Sequence, residues 1–539
     1  MNQRIFRRLG RTAALGIALL PSAGFAATPK PAGPAAIPKW TRFELVLQSS
    51  VTYSNPLQEV KLSAAFISPL GETNRAEGFW DGGKTWRVRF APDMPGQWSY
   101  HTTCSDVANT NLHALRGEFK CVAALTKTAL DQHGPIRVAR DLRRFEHTDR
   151  SPFLWLGDVA WNGARLSSPD EWQAYSDLRA SQKFTVTQWT LSPGTDGKGE
   201  SAFTGTNTLA INIPFFQRLD AKVEAANRAG LVCAIAPLQE LSGADAALSE
   251  EAAADLLRYA KARWSANHIV WLLAVEGDNI GMRVDRWKRI GRAVFANGAH
   301  APVVLLPGET HWLLDEFREE AWLDAFALPT IAPDENGLQW MLSGPLAQEW
   351  RKNPPRPILN LTPAPEQAAD GSDARRMLWL SLLSQPVAGA SYCAAPVMNW
   401  ETNIVTNPSM TPRTLPAWRN ALFLPGVKAV STAGEFFRTL DFRPLQPAGR
   451  LLKFQPGLDA PRRHIAAVGT DSKALALAYV PEERAIELNR ESLPANLAVS
   501  WLDVRSGAQR PAIAVLSGAG CSFPTPEAGD WLLVIKAGK

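Results

Sequence analysis

From about Gly134 to Leu424 the chain repeats one pattern eight times, a short apolar run followed by a longer amphipathic stretch. The runs are FLWLGDVAW, FTVTQWTL, GLVCAIAPLQ, IVWLLAVEGD, PVVLLPGE, DAFALPTIAP, RPILNLTPAPE and GASYCAAPVMNW, with starts roughly thirty to forty residues apart. A strand covered on both faces reads as continuously apolar, and parallel neighbours need a crossover helix between them. The intervening stretches carry helix-start chemistry. Ser168, Pro169 and Glu171 supply an N-cap, a first-turn proline and a capping-box acid, and Ser249 opens EEAAADLLRYAKARW in the same way. No glycine-rich phosphate turn follows any run, which argues against an open doubly wound sheet. The expectation for residues 134–424 is a closed (β/α)8 barrel of the TIM type.

The flanks change character. Residues 40–124 alternate as FELVLQSS, VKLSAAFISP, TWRVRFAP and QWSYHTTC between Gly, Pro and Asn, the spacing of a β-sandwich. Residues 426–539 return to strand patterns, among them ALALAYVP, LAVSWLDVR and DWLLVIK, and read as a second all-β domain. The expected architecture is therefore multidomain, a central barrel between an N-terminal β-sandwich and a C-terminal all-β domain. Residues 1–26 place Arg4, Arg7, Arg8 and Arg11 before AALGIALL and SAGFAA, the layout of an export signal, and residues 27–39 form a Pro/Ala-rich linker. This predicts export to the periplasm or the exterior.

Without the four leader arginines the formal charge falls from +5 to about +1. A nucleic-acid or anionic-membrane surface needs a concentrated basic face, so neither partner is expected. No later run is long and apolar enough to cross a bilayer. Five cysteines show no metal-ligand spacing, and no metal or other cofactor is called for. Cys104 and Cys121, on neighbouring strand-like segments, suit either a disulfide or two thiols, whereas Cys233 and Cys393 lie in apolar runs and read as buried thiols.

In a barrel of this kind the chemistry sits at the carboxyl ends of the strands. Those ends are acidic and aromatic: Asp158 and Trp161 after the first run, Gln188 and Trp189 in the second, Glu240 after the third, Glu276, Asp278 and Asn279 after the fourth. Glu309 and His311 follow the fifth, Glu366 the seventh, and Trp400 ends the eighth. Flat indole faces suit sugar rings, and carboxylates and amides suit hydroxyls. A protonated carboxyl beside an ionised one is the pair that cleaves a glycosidic bond, and crowded acids raise one another's pKa. Among the twenty tryptophans, Trp98, Trp264 and Trp322 are assigned to packing.

GFWDGGKTWRVRFAPDMPGQWSY (Gly78 to Tyr100) resembles the amino-terminal β-sandwich that precedes the barrel in a group of bacterial glycoside hydrolases. FLWLGDVAW, HIVWLLAVEGDN, RPILNLTPAPE and RRMLWLSLLSQPVAGASYCA are similar to the apiosidase-like catalytic domain. SWLDVRSG and FPTPEAGDWLLVI resemble a carboxyl-terminal domain that often carries a collagen-binding label in the same architecture. The resemblance implies an oligo- or polysaccharide substrate and a two-carboxylate, retaining mechanism. It also implies site positions. The family's Gly-Gly-Asp at strand four matches Glu276-Gly277-Asp278, and the two glutamates of its EPxYE pattern at strand seven match Thr362 and Glu366. If the second glutamate is the essential one, Asp278 is the acid/base and Glu366 the nucleophile. If it is the first, the carboxylate is lost, and either Glu276 or Glu309 replaces it or the barrel is a non-catalytic carbohydrate-binding or adhesion scaffold.

Overall fold

The structure is a computed structural model, and it describes residues 36–124, 128–239, 247–275, 280–298, 300–308, 312–367, 369–385, 388–403, 405–406, 414–415, 417–517 and 520–538. The export signal and most of the linker lie outside these residues. Residues 36 onward form one compact unit.

Seven N-terminal strands, β1 (Ile37–Pro38), β2 (Phe43–Gln48), β3 (Leu62–Ile67), β4 (Thr73–Trp80), β5 (Thr85–Phe90), β6 (Gly96–Cys104) and β7 (Arg116–Val122), form one sheet in the order β1-β7-β6-β3-β4-β5-β2. Phe43 of β2 stacks on Phe119 of β7 at 4.0 Å although the two strands lie near opposite ends of that order, and Phe66 of β3 stacks on Phe90 of β5 at 4.2 Å. The sheet is therefore rolled so that its halves face each other across a shared core. Cys104 and Cys121 are buried there as free thiols, which settles the disulfide alternative for the thiols.

Each of the eight apolar runs supplies one strand of a closed parallel barrel: β8 (Trp155–Val159), β9 (Val186–Thr190), β10 (Val232–Ala236), β11 (Ile269–Val275), β12 (Val303–Pro307), β13 (Ala325–Ala327), β14 (Ile358–Asn360) and β15 (Gly389–Tyr392). The crossovers include α1 (Pro169–Ser181), α2 (Ile213–Ala229), α3 (Glu250–Trp264), α4 (Ile280–Phe295) and α5 (Ser372–Leu383). At the start of α1 the capping box forms as read, with Ser168 Oγ accepting from Glu171 N and Glu171 Oε2 accepting from Ser168 N at 2.8 Å. Alternate strand residues divide two cores. Val186, Val232, Val270 and Val304 fill the lumen, while Trp189, Cys233, Trp271 and Leu305 meet the surrounding helices. Leu130, Ile136, Phe145 and Phe153, from a short helix and a three-stranded sheet before the barrel, close the lumen's amino end.

One boundary differs from the sequence reading. Residues Pro425–Phe437 form a helix, α6, that packs on α5 and β15 and belongs to the barrel wall rather than to the final β region. Its sequence PGVKAVSTAGEFF carries two glycines and β-branched residues that weaken helix propensity, so burial against the barrel decides its state. The strands that follow, from Gln446 to Ala537, form a six-stranded and a three-stranded antiparallel sheet. They grip the barrel through Arg375 of α5, which meets Asp530 at 2.7 Å, and through Trp379, which stacks against Tyr479. Among the described residues no helix is long and apolar enough to cross a membrane.

Candidate active site

Within the lumen lies a polar layer held by hydrogen bonds. Trp155 Nε1 donates to Ser391 Oγ at 3.2 Å, the Ser391 hydroxyl donates to Gln188 Oε1, and Gln188 Nε2 donates to the Leu361 carbonyl at 3.0 Å. Two glycines make room for this layer. A Cβ on Gly157 would lie 2.3 Å from Ser391 Oγ, and one on Gly389 would lie 2.3 Å from Trp155 Cβ. Gln188 thus faces the lumen as a candidate residue should, but it is fully buried with both ends of its amide engaged. It ties β9, β14 and β15 beneath the mouth.

Above this layer Trp161 is partly exposed and packs against the lumen core. Its carbonyl accepts from both the backbone N–H and the hydroxyl of Thr190 at 2.9 Å, which fixes the loop leaving β8. Asn162 N donates to Met398 O at 3.0 Å and so joins the rims of β8 and β15. Thr362, just beyond β14, has its Oγ1 buried without a hydrogen-bond partner among the described residues. Sequence reasoning passed over Ser391, yet glycines inside strands were an available signal that something approaches closely there.

Three candidates face the helices instead of the mouth. Asp158 is fully buried and paired with Arg179 of α1 at 2.7 Å, and it also accepts from Tyr175 Oη at 2.7 Å. Trp189 is fully buried and meets Trp264 of α3 edge-on at 6.0 Å. Trp400 stacks on Trp418 at 3.9 Å. For Asp158 and Trp189 the physical reason is strand parity, since side chains alternate between lumen and helix layer, whereas Trp400 follows a short helix, Ala395–Asn399, whose path carries it into the outer core. These three are packing and ion-pair residues, as are Trp98, Trp264 and Trp322, all buried.

Glu366 is the fourth correction. Its carboxylate accepts from Gly426 N at 3.1 Å, at the first turn of α6, and from the hydroxyl of Tyr392, whose ring belongs to the outer core. The crevice around it is lined by Asn360, Ala374, Met377, Tyr392, Gly426 and Val430, between the barrel wall and helices α5 and α6. Burial raises its pKa against the lowering effect of the Tyr392 and Gly426 hydrogen bonds. A carboxylate at a helix N-terminus is favourably placed for its charge, and this one pins the loop after β14 rather than facing across the lumen. Glu240, Glu276, Asp278, Asn279, Glu309 and His311 lie outside the described residues. Among the described residues no group of three His, Cys, Asp or Glu side chains could hold a metal.

A closed parallel barrel carries its chemistry at the carboxyl ends of its strands, and in sequence the fourth strand is followed by the acidic Glu276-Gly277-Asp278. The model of the family "Apiosidase-like, catalytic domain" matches residues 139–443, and the chain belongs to that family of glycoside hydrolases. A domain of unknown function, DUF5060, matches residues 36–105. Among solved structures, a glycoside hydrolase covers 76% of this chain and 98% of its own at 16% identity and a TM-score of 0.65. A family 5 glycoside hydrolase from Bacteroides vulgatus covers 76% of this chain and 95% of its own at 17% identity, also with a TM-score of 0.65. A second Bacteroides vulgatus protein, provisionally described as a glycoside hydrolase, covers 93% of this chain and 99% of its own at 18% identity and a TM-score of 0.68. At these identities the likeness is one of fold. No curated protein matches the sequence.

Proposed function

We propose that the protein is an exported glycosidase that hydrolyses a plant- or microbe-derived oligo- or polysaccharide at the carboxyl end of a (β/α)8 barrel. The observation that carries this reading is the family match across the whole barrel, together with Asp278 only three residues beyond Val275, the last residue of β11. In this reading Asp278 gives its proton to the leaving oxygen while a second carboxylate attacks the sugar or activates water. Glu366 is bound to α6, so the second carboxylate is Glu276 or Glu309. Trp161 is the aromatic surface at the mouth. A separation of about 5–5.5 Å between the two carboxyls means retention of configuration and roughly 6.5–9.5 Å means inversion.

The test is product analysis of the protein with pectic glycans (including apiose-containing pectin), hemicellulosic and bacterial glycans. Asp278→Asn is expected to abolish release of reducing ends while the fold melts normally. Undiminished release from that variant removes Asp278 from the mechanism.

One observation favours a second reading. Thr362 stands where the family pattern has its first strand-seven glutamate, and its hydroxyl has no partner among the described residues. On that reading the barrel binds glycan without cleaving it, and calorimetry shows oligosaccharide binding with no products. Thr362→Glu separates the two: a gain of turnover from an inert parent supports the binding scaffold, and a loss from an active parent supports the glycosidase.

A further inference from the structure

The N-terminal sheet does more than cover the barrel. Between β3, β4 and the outer face of α3 lies a cleft of about 800 Å3, within the range of ordinary ligand sites. Its apolar floor presents Trp80, backed by its cross-strand partner Trp86, which is buried in the core of the sheet. Trp80 is partly exposed, and its Nε1 already donates to Gly83 O at 2.9 Å, so the indole asks nothing of a ligand except a surface to pack against. The walls alternate in sign. Exposed Arg75 and Glu77 rise from β4, and Asp255 and Arg258 rise from α3, paired with each other at 2.9 Å. An anionic or cationic ligand would meet as much repulsion as attraction there. A neutral, hydroxyl-rich chain finds donors and acceptors on both sides of an aromatic floor.

The cleft is held open by the fold. Arg263 of α3, with no solvent exposure, binds Asp81 of the β4–β5 turn at 2.9 Å and Asp220 of α2 at 2.8 Å, so the two walls cannot drift apart independently. Because α3 follows β10, its Glu251 end lies on the side of the active-site mouth, and the cleft runs from there along the helix toward Ala262.

We infer that this cleft is a second glycan-binding site that holds a segment of the polymer whose bonds are cleaved at the mouth. The inference rests on the glycosidase reading for the identity of the ligand, and its function is to keep a long substrate attached between cleavage events.

The test uses the full-length Asp278→Asn protein, so that no substrate is consumed, in native gels cast with soluble pectin, arabinoxylan or a bacterial exopolysaccharide. At least one polymer is expected to retard the protein. Trp80→Ala is expected to weaken that retardation on the order of tenfold, the loss of one aromatic stacking surface. Since Trp80 also packs on the core, the cleft-wall pair Asp255→Ala with Arg258→Ala is run beside it, and both variants are melted. Retardation that falls in either well-folded variant supports the site. Absence of retardation in the parent, or equal retardation in both variants, overturns it. Reducing-end release by the Asp278 parent separates the two claims. Release with retardation that neither variant weakens overturns the cleft alone, whereas retardation that either well-folded variant weakens, without release, overturns the glycosidase reading alone.

Discussion

Arg263 of α3 and Asp81 of the β4–β5 turn form an ion pair at 2.9 Å that joins the barrel to the N-terminal sheet, with the guanidinium wholly removed from water. Asp220 completes the arrangement, accepting from Arg263, from Arg89 of β5 at 2.7 Å and from Trp264 Nε1 at 2.8 Å. Burial alone would raise the Asp220 pKa, and the two arginines override it and hold it below the usual carboxylate range.

Removing Arg263 leaves Asp81 with Arg87 and Asp220 with Arg89, but it strips both carboxylates of the charged hydrogen bonds that join sheet to barrel, each worth ~1.5–3 kcal/mol. Arg263→Met is therefore expected to lower the urea midpoint sharply. Residues 36–124 are expected to become the first segment cut by protease, because the seam opens before the barrel does. Equal protection of sheet and barrel in that variant would mean that apolar contacts alone hold the seam.

Glu366 offers a test of position against chemistry. Glu366→Gln keeps an acceptor for Gly426 N and for the Tyr392 hydroxyl, so it is expected to melt near the parent at neutral pH and to keep most turnover. Glu366→Ala leaves the Gly426 N–H unpaired and is expected to cost ~1–2 kcal/mol. The raised pKa also sets a sign. A carboxyl that binds its proton more tightly when folded contributes stability on the acid side, and loses it as pH rises through the folded pKa. Relative to the parent, Glu366→Gln should gain stability between acid and neutral pH. A well-folded Glu366→Gln protein with turnover reduced by orders of magnitude would return Glu366 to the catalytic pair.

His268 lies beneath the barrel with both ring nitrogens buried and without hydrogen-bond partners among the described residues, and burial pushes its pKa down to about 4. The unfolded chain titrates near 6.5, so it takes up a proton that the folded state refuses between those values. Stability present above pH ~6.5 is lost as pH falls toward 4, by ~3 kcal/mol from this residue. Denaturation at stepped pH should show a shallower decline in His268→Leu than in the parent. Parallel curves would mean that His268 finds a proton acceptor in the fold.

The eight barrel strands were legible because each is covered on both faces, and full burial leaves an uninterrupted apolar run in the sequence. The capping box at Ser168 and Glu171 was legible because it is local chemistry. Side-chain direction was less so. Asp158, Trp189 and Glu366 are polar or aromatic residues at or beyond strand ends, as Trp161 is, and only register and loop path send them to Arg179, Trp264 and α6. Helix α6 was hidden for a related reason, since its stability comes from a partner surface remote in sequence. The seam at Arg263 was invisible for the same cause: Asp81 and Arg263 are far apart in the chain, and nothing in either segment announces the other.

Gly157 gives the sharpest test of the polar layer below the mouth. It sits in β8 facing Ser391 and Gln188, where a methyl group would come within 2.3 Å of Ser391 Oγ, 2.7 Å of Trp155 Nε1 and 2.9 Å of Gln188 Oε1. Its backbone is ordinary strand, so the demand for glycine comes from space and not from φ. Gly157→Ala must push Ser391 away and break the link between Trp155, Ser391 and Gln188, leaving buried polar groups unpaired at ~1–3 kcal/mol each. The variant is expected to lose more stability than the ~1–3 kcal/mol typical of overpacking alone. Pairing it with Ser391→Ala should recover part of the loss by vacating the clashing oxygen. If the double variant is no more stable than Gly157→Ala, the methyl group is accommodated elsewhere and the layer does not impose the glycine.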